Sequence, residues 1–416
     1  MSEEEKGLLD KKEAVGTVEN VQSIFFSYNE NLNSVKLYFS KFGNLATGED
    51  DNIKESFESF FEEVVEDLES NKKTVLNPET DTEEEVIDDE YIKKALSLFR
   101  KRPNISPRNY EILSRSSFLM LNNYFEYLLT DLLSYFYNKY QNSLDEKEFR
   151  LTLKELNEFE TIEEATKNLI LKEVESIIVE KTFNELLIHF EKQLSISLEN
   201  DLINWNKIIE IRERRHLIVH NSSIVNKKYI TRTGNPYDFK IGEPIHVQKD
   251  YFENSCNELK IAGQLLLFNC WGKWDKDNID NAIYQIMLQT FEDLKFKNND
   301  AVRRMCEYSN QIIAKNENQE DYLFRIKVNH AIALKKSKSN KDLAKVLKTM
   351  KVGTATPIFK IAFKILNDDH KDLSGLFKKA VVMEELNREF YLEWPIFDFV
   401  RINETELHKE LLQTFN

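Results

Sequence analysis

At 416 residues the chain is long enough for two or three domains and for a sizeable core. Ten Gly and seven Pro are too few for the frequent turns of an all-β protein, and three widely spaced Cys exclude a disulfide framework or a zinc knuckle. The net charge of −15 would argue against nucleic acid if it were evenly spread, but residues 1–100 hold 25 acidic against 11 basic side chains, a balance of −14 that leaves −1 for the other 316 residues.

Long windows rich in Leu, Glu, Lys, Ile and Asn predict an all-α fold. The opening MSEEEKGLLDKKE has no basic region followed by an apolar run, and no later stretch reaches membrane-spanning length. A soluble cytoplasmic protein with no membrane contact is expected. Residues 1–100 combine a Phe-rich stretch with the run TDTEEEVIDDEY and read as a small helical region followed by a solvated acidic linker. A sharper alternative has that run dock on a basic segment further along the chain.

A boundary is expected near RKRPNISPRNY, where Ser106 can cap a helix and Pro107 can occupy its first turn. Leu121, Phe125, Leu128, Leu132 and Tyr135 then recur at alternating spacings of four and three, which gives one helix a broad apolar stripe. Further helices are predicted at about 161–196, 200–221 and 248–271, with KKYITRTGNPYDFKIGEPIHV as a loop or short hairpin between the last two. Four main helices with one longer excursion after the third form a helical-bundle pattern over residues 101–274. Residues 275–416 change texture, with apolar segments broken by KNENQED, KKSKSNKD, NDDHKD and EWP. They predict a separate helical domain, either paired-helix repeats or generic helices.

The segment EIRERRHLIVHNSSIVNKKYI, residues 210–230, does not read as ordinary helix. Two stripes run along it at three- and four-residue steps. One is Leu202, Trp205, Ile209, Arg212, His216, His220, and the other is Ile208, Ile211, Arg215, Ile218. Each begins as core and then receives ionisable groups, which are costly to bury without partners. The plain reading is that Arg215 pairs with a carboxylate and the histidines are neutral core residues. Their grouping within six positions, next to Arg214 and Asn221 at a helix end, favours a site instead. Residues 207–232 carry a local charge of +5, with seven Lys and Arg against Glu210 and Glu213. His216 and His220 have the i, i+4 spacing of a helical metal pair, but HLIVH contains no Glu and no carboxylate follows promptly, so no metal and no cofactor are expected.

The run R215-H216-L217-I218-V219-H220 resembles the R-polar-x3-H motif of the HEPN superfamily, small helical bundles found in many prokaryotic RNases of defence and toxin systems. The continuation VHNSSIVNKKYI, a Gly/Pro-containing excursion and a final amphipathic helix are similar to one bacterial branch, and the resemblance covers about residues 100–272. It implies metal-independent RNA cleavage, with Arg215 and His220 catalytic and His216 the polar residue beside them. The chemistry suits the residue types. Attack of a ribose 2′-hydroxyl on its neighbouring phosphate needs a base, an acid and a cation facing the developing charge. Histidine and arginine supply these. His220, in the last turn, is placed for the acid role.

A single helix supplies a single set, so a homodimer joined through the motif helices is expected to build the complete cleft from two copies. Arg212, Arg214, Asn221, Lys227 and Lys228 would line the RNA approach, or the lysines are simply solvated charges. The remaining helices would act as sensor or regulator and take a phage or regulatory protein. The main rival is a non-catalytic HEPN-like module that dimerises and binds protein or nucleotide. Another branch carries a Tyr two residues after the His as a target for nucleotidyl modification, and here that position is Ser222. A solenoid adaptor with an incidental basic patch is the third reading.

Overall fold

The computed structural model describes residues 20–77, 82–101, 108–198, 201–350, 352–353 and 355–415. The fold is all-α. Among the described residues there are eighteen α-helices and one two-stranded antiparallel hairpin. The described residues divide between two compact units, one drawn from residues up to 30, 125–209 and 257 onward and the other from residues 31–124 and 210–256.

The N-terminal expectation needs correction. The Phe-rich stretch opens a fifty-residue helix, α1 (Val21–Ser70), and the acidic run is no linker. Thr82–Ile87 is strand β2, paired in register with β1 (Lys72–Asn77) from Lys72↔Ile87 to Asn77↔Thr82, and Asp89–Lys101 forms α2. Ion pairs from Lys72 to Glu85 (3.4 Å) and Lys73 to Asp88 (3.5 Å) hold the run inside its own hairpin region. Lys72 and Lys73 stand opposite Ile87 and Val86 in the register and reach diagonally to Glu85 and past the strand end to Asp88, contacts that composition alone does not reveal.

Helix α3 (Asn109–Lys139) carries the predicted stripe, and Leu121, Phe125, Leu128, Leu132 and Tyr135 are all buried. Ser106 and Pro107 lie outside the described residues. The described cap comes from far along the chain: the buried Asp50 carboxylate on α1 accepts the Asn109 N–H (2.9 Å), the Asn109 side-chain amide (2.8 Å) and the Tyr110 N–H (3.0 Å). Those donors hold Asp50 below the ordinary carboxylate range against the opposing effect of its burial. After the short α4 (Leu153–Leu156), the helix expected over 161–196 is two helices. α5 (Ile162–Glu180) ends at Lys181, and Thr182 with Glu185 forms a capping box that starts α6 (Phe183–Lys192).

In the first unit, Phe25 of α1 packs on Phe268 and Trp271, and Tyr28 on Phe125. The Tyr28 hydroxyl donates to the Leu259 carbonyl at 2.6 Å. The nine α-helices among the described residues after 275 belong to this unit: α10 (Ile279–Lys295), α11 (Asn299–Ser309), α12 (Glu317–Lys336), α13 (Asn340–Thr349), α14 (Pro357–Leu366), α15 (Leu373–Val382), α16 (Arg388–Glu393), α17 (Asp398–Asn403) and α18 (Thr405–Gln413). α10, α11 and α12 pack mutually, and α12 continues onto α13 and α14. Asparagine side chains start several of these helices, as Asn298, Asn316 and Asn387 each accept the backbone N–H three residues on.

In the second unit, Phe39 of α1 stacks on Phe252 at 4.0 Å between centroids, and Phe118 of α3 meets Tyr251. Three more helices reach this unit: α7 (Trp205–His220), α8 (Lys227–Thr233) and α9 (Lys249–Trp274). The excursion expected as a loop or hairpin therefore contains α8, capped by Asn226 and closed by Gly234 at φ +69°. Its ends still meet as a hairpin would, because Ile224 bridges Pro244 in antiparallel fashion and the Ile245 N–H donates to the Ser223 carbonyl (2.7 Å).

Candidate functional site on the motif helix

Asn204 starts α7 by accepting the Lys207 N–H at 3.1 Å. The helix ends at His220, where Ser222 (φ +52°) and Ser223 (φ +62°) are both left-handed. The Ser223 N–H reaches back to the Leu217 carbonyl at 3.0 Å, a helix closure usually made with glycine. The Asn221 side-chain amide donates to the Ile224 carbonyl and tightens the same turn. Leu217, Val225, Tyr229 and Ile245 then form a small buried cluster that holds α8 back against α7.

This return places charge beside the predicted histidines. The rings of His216 and His220 lie 4.8 Å apart at 47°, with His216 half-buried and His220 exposed. Burial lowers the His216 pKa, and the positive charges of Lys228, His220 and Arg232 lower it further, while Glu213 partly opposes them. Arg232 is itself held by Glu213 at 2.7 Å. Lys227 and Lys228 are exposed on the first turn of α8.

The structure overturns the reading of Arg214 as a charge lining an RNA approach. Its side chain is buried, and Nε donates to Glu210 (2.9 Å) while a terminal nitrogen donates to the His246 carbonyl (3.0 Å). Its guanidinium lies 3.6 Å from the Tyr251 ring centroid, with Tyr237 and Phe239 also close. Burial alone would lower the Arg214 pKa, but the oxygens of Tyr251, Glu210 and Tyr229 outweigh it and the net shift is upward. Glu210, 1% exposed, also accepts the hydroxyls of Tyr229 and Tyr251, each at 2.7 Å. The same acceptor pushes both phenols upward, with burial the larger cause.

Part of the ionisable set on the buried face is thus a structural knot. Glu210 is its centre, and residue-type reasoning about Arg and His passed over it. The E-x3-R spacing of Glu210 and Arg214, which puts the two side chains one turn apart, is the signal that could have found it.

The remaining members are not equivalent. Arg212 and Arg215 are half-buried. Arg212, His216 and His220 follow one i, i+4 stripe, whereas Arg215 stands about 140° around the helix from His220. The structure thus brings the two imidazoles together with Lys228, while helical spacing sets Arg215 on a different face from His220. Among the described residues no three His, Cys, Asp or Glu side chains converge as a metal-ligand group, and no helix is long and apolar enough to cross a membrane. Compared with known proteins, the chain matches no family model, no curated protein and no solved structure.

Proposed function

We propose that the chain is a metal-independent endoribonuclease whose complete cleft forms where the α7 helices of two copies meet. The observation that carries this reading is the partly exposed His216–His220 pair, 4.8 Å apart at the end of α7 and flanked by Lys228. The resemblance of R215-H216-L217-I218-V219-H220 to the HEPN motif supports it and suggests a role in anti-phage defence or a toxin system.

The chemistry divides among these groups. His216, whose pKa is lowered, is largely neutral at pH 7 and suits the base that takes the 2′-hydroxyl proton. His220 donates a proton to the departing 5′-oxygen. Arg215 faces the charge that builds on the phosphorane, which its flat fork of donors fits. Bond making from O2′ and bond breaking to O5′ leave a 2′,3′-cyclic phosphate and a 5′-hydroxyl. Because His220 and Arg215 lie on different faces of one helix, two copies related by a two-fold axis are needed to surround a single phosphate.

The test is to express wild type, Arg215→Ala, His216→Ala and His220→Ala and to sequence cellular RNA ends. Wild type should yield new 5′-hydroxyl ends, unaffected by chelator in the purified reaction and lost when the cleaved nucleotide is 2′-deoxy. The Arg215 and His220 variants should fall by about 10²-fold or more. Identical RNA profiles from all four proteins would leave only a non-catalytic binding or dimerisation module.

A further inference from the structure

Among the C-terminal helices, α10, α12, α14 and α16 line a partly open pocket of about 390 Å³. That is the size of a small ligand or one long side chain. Its apolar lining includes Met287, Val328 and Ile358, and its walls are aromatic. Phe390 and Trp394 stack at 5.2 Å with an interplanar angle of 10°, and Phe359 stands edge-on to Phe324 at 5.1 Å.

Polar groups enter in register from α12, where Asp321, Arg325 and Asn329 recur every four residues and so share one face. Asn329 is 4% exposed, and its side-chain NH2 donates to the Thr290 hydroxyl (3.0 Å) and the Met287 carbonyl (3.4 Å). Those two partners fix the amide orientation and leave Oδ1, an acceptor, for the pocket. Glu385 uses Oε2 to accept the Ile358 N–H at 3.0 Å, which leaves its other oxygen. Arg325, the guanidinium in the lining, gives Nε to Asp321 at 2.7 Å and lies 5.0 Å from the Phe359 ring centroid. The charged lining is therefore two carboxylates, Asp321 and Glu385, against the one guanidinium of Arg325, and the unused polar atoms of Asn329 and Glu385 are acceptors.

The geometry points to a site for an organic cation, an ammonium or guanidinium on an apolar stem. Aromatic faces attract such a group, and the acceptors of Asn329 and Glu385 match its N–H donors. An anion would meet excess negative charge. A purely apolar guest would bury the two acceptors without partners, at about 1–3 kcal/mol each. Arg325 over Phe359 already shows one wall of the pocket holding a cation. A free organic amine and a basic side chain of another polypeptide present the same chemistry.

The test is calorimetric titration of the full chain with n-butylguanidinium and with a blocked Gly-Arg-Gly peptide. The neutral isosteres n-butylurea and a blocked Gly-citrulline-Gly peptide serve as controls. Saturable binding of at least one cation is expected, with its isostere weaker by about tenfold or more. Glu385→Gln should weaken the cation by about tenfold while the melting curve holds, since the new amide oxygen can still cap Ile358. Binding of the small cation alone assigns the site to free amines, and binding of the peptide assigns it to basic side chains. The proposal is overturned by isosteres that bind as well as the cations, by unchanged binding to Glu385→Gln, or by no saturable binding up to about 10 mM.

Discussion

Glu210 and Lys228 show how neighbouring charges on α7 and α8 take opposite tasks. Glu210 is buried and receives Arg214, Tyr229 and Tyr251, so removing its carboxylate strands a guanidinium in a low-dielectric site. Glu210→Ala is expected to lower unfolding free energy by about 3–5 kcal/mol, read as an earlier midpoint in a urea titration. Glu210→Gln, which keeps an acceptor, should lose less. Lys228 is exposed, and in the proposed reaction it acts on the base instead. Its charge helps to depress the His216 pKa, so the neutral base persists to lower pH. In Lys228→Gln that pKa moves up toward its ordinary value, and the acidic limb of the pH–rate profile for RNA cleavage should move to higher pH. An unshifted limb would remove His216 from the base role.

Most of the described helix caps are local, but α3 is set by a distant partner. Asp50 of α1 caps α3 across about sixty positions of chain, where local spacing offered Ser106 and Pro107. Helix α9 carries Gly263 in mid-helix, which costs about 1 kcal/mol relative to Ala on propensity alone. The glycine is required because a Cβ there would come within 2.3 Å of the Tyr28 ring. Gly263→Ala should therefore destabilise by about 1–3 kcal/mol despite the better helix former, as measured by thermal melting. Tyr28→Ala in the same background should relieve the clash, giving a positive coupling between the two sites.

For the molecule as a whole, the proposed activity depends on two copies. Val219, next to His220, is 45% exposed and offers apolar surface beside the motif. Val219→Glu is expected to shift the chain to monomer in sedimentation velocity and to lower cleavage by about tenfold or more, with the melting curve little changed because the side chain lies outside the core. A monomeric variant with full activity would require the complete catalytic set within one chain. The buried cysteines Cys256, Cys270 and Cys306 predict a second global behaviour. Burial pushes the Cys256 thiol up to about 12 and the other two well above the ordinary range, so all three should resist a thiol reagent in the folded protein at pH 8 and react on unfolding.

Local periodicity determined much of this protein unaided: the all-α class, the buried stripe of α3, the motif helix and the His216–His220 pairing all follow from spacings of three and four. They were legible because the helical repeat acts over a few residues. Tertiary structure decided what neighbours in sequence cannot. It turned the acidic run into a strand by pairing it with Lys72–Asn77, and it built α8 into the expected loop. It also drew Arg214 inward onto Glu210 and the tyrosines while leaving His220 outside. Ionisable groups on one helix separate into buried and solvent-facing ones because only long-range packing determines which of them is drawn into the core.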